Sequence, residues 1–161
     1  MWVKKMRHPE AEYVRKTFVL RKMDFPPEVS LTKKSMLRWV ALSLGLISEN
    51  ESRSTVIDIM DLFFTKIFAE GKNPGSQEIQ EELEGKGLKV SEKLVRYHLN
   101  KMCEIGFLSH AKGRYSLNPA PDAERNDLAE AFSYWYKREL DESVNRVGTA
   151  LTKLQAAYEN K

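Results

Sequence analysis

The 161-residue chain carries one cysteine, Cys103. A single thiol makes no intramolecular disulfide framework and no thiolate-based zinc site. Its three histidines, His8, His98 and His110, show none of the short spacings that bind metal together. The longest stretch near Trp39 without a charged residue, WVALSLGLIS, is ten residues, about half of what a bilayer-spanning helix needs. The basic start MWVKKMRHPE has no apolar run behind it, so it does not read as a secretory signal. Also missing are a P-loop, a nucleophile elbow, an H-E-x-x-H pair and a Gly-rich dinucleotide loop. The expectation is a cytoplasmic, nucleoid-associated protein with no membrane partner, no cofactor and no enzymatic activity.

What is present is enough apolar sequence for a core and an uneven charge. Residues 1–50 hold ten basic against five acidic residues, residues 51–120 ten of each, and residues 121–161 six against eight. The neutral middle hides a sharper split. Residues 86–114 carry Lys86, Lys89, Lys93, Arg96, Lys101, Lys112 and Arg114 against Glu92 and Glu104. Such a cluster is a solvated face or a nucleic-acid footprint, and its place in the fold decides between them.

Breakers divide the chain into a basic N-terminal extension (1–52), a central domain (53–118) and a C-terminal segment (119–161). In the extension, PEAEYVRKTFVLRKMDF fits both a helix and a strand through TFVLRKM, and the pattern leans to helix before Phe18 and extended chain after it. Pro26-Pro27 then breaks the chain, and Ser30 is placed to cap a helix through LTKKSMLRWVALSLGL. Glu49–Ser52 reads as a loop. Thr55 and Asp58 form a capping pattern ahead of a core helix with Ile57, Met60, Phe63, Phe64, Ile67 and Phe68 at helical spacing. Asn73-Pro74-Gly75 is a turn, and Ser76 caps a short helix holding Ile79 and Leu83. Ser91 caps a fourth helix that Gly106 closes. The period then falls to two, with FLSHA and RYSLN around Lys112-Gly113, a tight hairpin.

Core helix, short helix, turn, capped helix and hairpin is the order of a winged helix-turn-helix. The fold class expected is mostly α with a small β-hairpin (α+β), with helix 91–105 as recognition helix and hairpin 107–117 as wing. The segment VSEKLVRYHLNKMCEIGFL resembles the recognition-helix signature of arsenic-repressor-type and related winged-helix regulators, V-S-x-x-T-V-x-R-H-L-x-x-L-x-x-x-G-L-I. Val90, Ser91, Val95, His98, Leu99 and Gly106 match it; Leu94 replaces the usual Thr and Tyr97 the usual Arg. The resemblance covers about residues 53–118 and implies a DNA-binding transcription regulator. The helix around TKKSMLRW is similar to one in small archaeal winged-helix proteins.

At 100° per residue, Val95, His98, Leu99 and Met102 share one face of the fourth helix, with Lys93, Tyr97 and Asn100 opposite and Arg96 and Lys101 on the flanks. Those residue types grip phosphates and base edges. The candidate contacts to double-stranded DNA are Ser91, Lys93, Arg96, Tyr97, Asn100, Lys101, Lys112 and Arg114. His98 reads as a partly buried helix residue hydrogen-bonded to a neighbour, Tyr115 as hairpin packing and Cys103 as a half-buried small residue. A low-specificity architectural binder and a protein-interaction module are the competing functions.

From Asp122 onward no proline interrupts a helical segment of about 38 residues, roughly 57 Å long. Leu128, Phe132, Trp135, Leu140, Val144, Val147, Leu151 and Leu154 recur on it in coiled-coil-like steps. They are the expected homodimerisation seam, the alternative being a helix folded back on its own domain with a break at Gly148; a dimer would read two half-sites about one DNA turn apart.

Overall fold

The computed structural model describes residues 6–51, 54–123 and 126–160. Residues 1–5, the end of the loop expected at Glu49–Ser52 and the boundary expected at 52–53 lie outside them.

The extension holds less helix than its pattern suggests. Pro9–Tyr13 forms one short 3-10 turn, and residues 14–26 have no regular structure. Tertiary contacts override propensity here. The Arg21 amide donates to the Ser43 carbonyl at 2.8 Å, and its guanidinium donates to the carbonyls of Leu42 and Ile47. The segment thereby satisfies the carbonyl end of helix α1, Lys33–Ser43. Thr32 caps α1, not Ser30: its hydroxyl accepts from the Ser35 amide at 3.1 Å. A cap needs extended backbone, which Thr32 has, whereas Ser30 sits in the 3-10 turn Pro27–Leu31.

Helix α2, Thr55–Phe64, is the centre of the core and buries Val56, Ile57, Ile59, Met60, Leu62 and Phe63. It starts one residue earlier than the capping pattern implies. Thr55 is already helical, Ser54 holds the cap position, and no side chain bonds there. A π-helical turn, Thr65–Ala69, follows. The Thr65 hydroxyl donates to the Asp61 carbonyl at 2.8 Å at its start. Within it Ile67 stays buried as expected, whereas Phe68 is 49 % exposed rather than core.

Helix α3, Ser76–Gly85, buries Ile79 and Leu83. Ser76 is its first residue rather than its cap, and its hydroxyl donates to Glu92 Oε1 at 3.1 Å. Helix α4, Glu92–Ile105, buries Val95, Leu99, Met102 and Ile105. Strands β1 (Leu108–Ala111) and β2 (Arg114–Leu117) form an antiparallel hairpin with His110 opposite Tyr115. The Tyr115 amide donates to the Pro74 carbonyl at 2.9 Å, which ties the hairpin to the turn before α3.

The C-terminal helix opens later than expected. Asp122 lies in a turn with φ 67°, and the cap is Asp127, whose carboxylate accepts from the Glu130 amide at 3.1 Å. The helix then runs as α5 (Leu128–Phe132), a π-helical turn (Ser133–Lys137) and α6 (Arg138–Glu159). Its first part folds back on the domain. Leu128, Phe132, Trp135 and Leu140 pack against the core, and buried Tyr136 donates its hydroxyl to the Val19 carbonyl at 2.7 Å. Half of the expected seam therefore lies against the chain's own core. Val144, Val147, Leu151 and Leu154 remain exposed.

Between residues 20–23, α1, the end of α2 and α5 lies an apolar groove of about 990 Å³, whose walls include Met23, Met36, Val40, Phe68 and Phe132.

Candidate nucleic-acid interface

The site is built on α4 because its two faces differ so sharply. Ser91 fixes the start, its hydroxyl accepting from the Leu94 amide at 3.1 Å. Gly106 fixes the end, with φ 103°. Four apolar residues anchor the inner face, and the outer face has nothing to do but meet solvent or a partner. Ser91, Lys93, Arg96, Tyr97 and Asn100 are exposed and Lys101 is half-buried. Lys101 Nζ sits 5.0 Å from the centre of the Tyr97 ring, an arrangement that holds both side chains on the outer face.

The hairpin adds one more basic group. Its two turn residues, Lys112 (φ 53°) and Gly113 (φ 75°), both have positive φ, the geometry of the tight hairpin turn. Lys112 is exposed at the tip.

Two candidates behave differently from the sequence expectation. Arg114 folds back, donating to the Asn73 carbonyl at 2.9 Å and to Glu78 Oε1 at 3.0 Å. Its charge is balanced within the chain, and it braces the wing against α3. Asn100 accepts a 3.0 Å hydrogen bond from the Tyr115 hydroxyl. That bond joins α4 to the wing and takes one of the two acceptor positions of the Asn100 oxygen, so the side chain is partly engaged within the chain. Neither role is visible in a helical wheel, because both depend on where the hairpin lands.

His110 was absent from the sequence candidates. It lies exposed on the wing, stacked on Tyr115 with ring centroids 4.1 Å apart. The signal was available: a two-residue turn fixes the register and sets the two rings opposite each other.

The interior groups pack as their sequence reading has them, except that His98 Nδ1 is buried without the expected hydrogen bond to a neighbour. His98 is half-buried, and burial, with Lys101 adding to it, holds its pKa below the ordinary value. Burial pushes the Cys103 thiol up to about 11, so it stays a protonated packing group. Among the described residues no cluster of three metal-ligating side chains occurs. No helix among them is long and apolar enough to cross a membrane.

Six of the other described basic residues are engaged, while Lys33, Lys34 and Arg38 on α1, with others, form no ion pair among the described residues. Lys16, Arg21, Lys66, Arg114, Lys137 and Arg138 all take part in ion pairs. Among the described residues, Lys93, Arg96, Lys101 and Lys112 take part in none. A helix with an unbalanced basic face, followed by a hairpin with a basic tip, is the arrangement of one recurrent nucleic-acid-binding fold. Residues 63–118 match the family model of the ribonuclease R winged-helix domain. The central domain is a winged helix. The match covers about a third of the chain, from the end of α2 through the wing. No curated protein and no solved structure matches the chain. Similarity to arsenic-repressor-type regulators therefore rests on the α4 motif alone. The winged helix is consistent with nucleic-acid binding, and its apolar groove lies apart from α4, with none of the candidate contact residues in its walls.

Proposed function

We propose that the chain is a duplex-DNA-binding transcription regulator that acts as a homodimer. The outer face of α4 enters the major groove, and Lys112 on the wing reaches the adjoining backbone. The observation that carries this reading is the set of four basic side chains, Lys93, Arg96, Lys101 and Lys112, left without ionic partners on one helix face and one hairpin tip. An α-helix fits the B-form major groove, whereas the A-form groove of duplex RNA is too narrow to admit it. The reading is of a binding protein rather than an enzyme, with no cofactor in its action.

A second reading, low-specificity DNA binding, is favoured by one observation. The Asn100 carbonyl oxygen is partly engaged by Tyr115, and Leu94, where the resembling regulators carry Thr, is half-buried. That leaves mainly phosphate-type contacts.

The test is selection from a randomised duplex pool at two salt concentrations, with Arg96→Ala and Lys93→Ala variants and duplex and single-stranded RNA as competitors. An enriched inverted repeat, lost with Arg96→Ala, supports the regulator. Salt-sensitive binding without enrichment supports the second reading. Preference for RNA, or no binding at low salt, overturns both.

A further inference from the structure

Helix α6 is 22 residues long and buries none of them. Val144, Val147, Leu151, Leu154 and Tyr158 are 54 to 80 % exposed and recur in steps of three and four, so they form one apolar face. Gly148 stands near the middle of the helix, close to that face. A glycine there lowers helix stability relative to alanine. Nothing lies within 4 Å of the place its Cβ would occupy, so its own chain gives no reason for it. Ser143, Ala150 and Ala157, seven residues apart, line the opposite edge of the face.

We propose that α6 pairs antiparallel with α6 of a second copy, the two helices crossing beside Gly148 and Ala150. This rests on the dimer reading above and gives that dimer its geometry. A second copy is the occupant because the face complements itself. With the twofold axis at Thr149, Val144 meets the partner's Leu154 and Val147 meets the partner's Leu151. Every layer then combines a smaller with a larger apolar side chain. A parallel pair would stack Val on Val and Tyr on Tyr, leaving layers of unequal width.

The helix dipoles favour the same direction, since antiparallel pairing opposes them. The small residues at the crossing permit close approach of the backbones, which accounts for Gly148.

The pairing also sets the spacing of the two winged helices. They attach at the N-terminal ends of α6, at opposite ends of the paired segment. At 1.5 Å per residue those ends lie about 33 Å apart along the axis. Two half-sites on one face of DNA are separated by about 34 Å.

Sedimentation and cysteine cross-linking of the full chain in a Cys103→Ser background test this. Wild type should show a concentration-dependent dimer, and Leu151→Asp should be monomeric with unchanged thermal unfolding of the winged helix. Ala150→Cys should link to itself on mild oxidation. Val144→Cys and Leu154→Cys should each fail alone and link when mixed. Gly148→Leu, which favours an isolated helix, should weaken the dimer about tenfold through overpacking. A monomer at all concentrations, self-linking of Val144→Cys, or a Gly148→Leu dimer as tight as wild type overturns the inference. A monomer that still binds duplex through Arg96 overturns the pairing and leaves the DNA reading standing. A cross-linked antiparallel dimer that binds no duplex supports the pairing and overturns the DNA reading.

Discussion

Lys112 occupies a backbone position that suits Asn or Gly better. Its φ of 53° puts Cβ too near the following carbonyl, a local cost of about 1 kcal/mol for a side chain of this kind. Asn tolerates the same turn position well. A lysine there trades stability for a charge at the wing tip. Lys112→Asn should therefore leave urea unfolding unchanged or raise stability by up to about 1 kcal/mol, while weakening DNA binding and lowering its salt slope by about 1 for each protomer bound. Loss of stability with unchanged binding would give Lys112 a purely structural role. His98 supplies the other residue-scale expectation. Burial first, then Lys101, depress its pKa below 6.5, and Glu51 opposes them in part. Well above pH 6.5 the imidazole is neutral folded and unfolded, so it adds no pH dependence there. Below that value the unfolded chain takes the proton first, and stability should fall as pH drops toward the folded pKa. Denaturation curves at pH 8 and pH 5.5 should show the loss, and His98→Gln should reduce it.

Among the elements, α4 was the most legible and the C-terminal helix the least. The Ser91 cap, the apolar positions 95, 99 and 102 and the terminal Gly106 are local signals, and local interactions decided that helix. Gly106 has a second duty that no local pattern discloses. A Cβ on it would lie 2.7 Å from Trp135 Cβ, so the close of α4 is also where the α5 segment docks. Gly106→Ala combines a positive φ with a clash against an atom held by backbone. It should destabilise the chain by about 3 kcal/mol, read by urea unfolding, with faster amide exchange through 128–137. The seam at 128, 132 and 135 looks the same in sequence as the one at 144, 147 and 151. What separates them is a winged-helix surface within reach of the first and not the second. The two π-helical turns were equally hidden, since both arise where a helix adjusts to a neighbour. Caps moved by one or two residues at Thr32 and Ser54 for a related reason: several hydroxyls compete, and the backbone conformation selects among them. In the site, the outward positions of α4 could be read from periodicity, whereas the diversion of Asn100 and Arg114 needed the hairpin in place.

At the scale of the whole molecule, a net charge of +3 conceals a division of labour. The basic residues of the extension are partly engaged, Lys16 by Glu139 and Arg21 by Glu49 and the end of α1. The C-terminal segment is acidic overall and carries the exposed apolar face. Unpaired positive charge is left on α4 and the wing, and also on α1 through Lys33, Lys34 and Arg38. Four phosphate contacts per protomer, from Lys93, Arg96, Lys101 and Lys112, release about four counterions, for a slope near −3.6 in a log–log plot of affinity against salt. A dimer on two half-sites doubles this to about −7, so affinity should fall about ten-thousand-fold between 50 and 200 mM salt. The Leu151→Asp monomer should keep the α4 face and show half the slope. Fluorescence anisotropy titrations of both proteins on one duplex measure it. Equal slopes would mean that one winged helix makes all the contacts, and the paired α6 helices would then serve some end other than reading two half-sites.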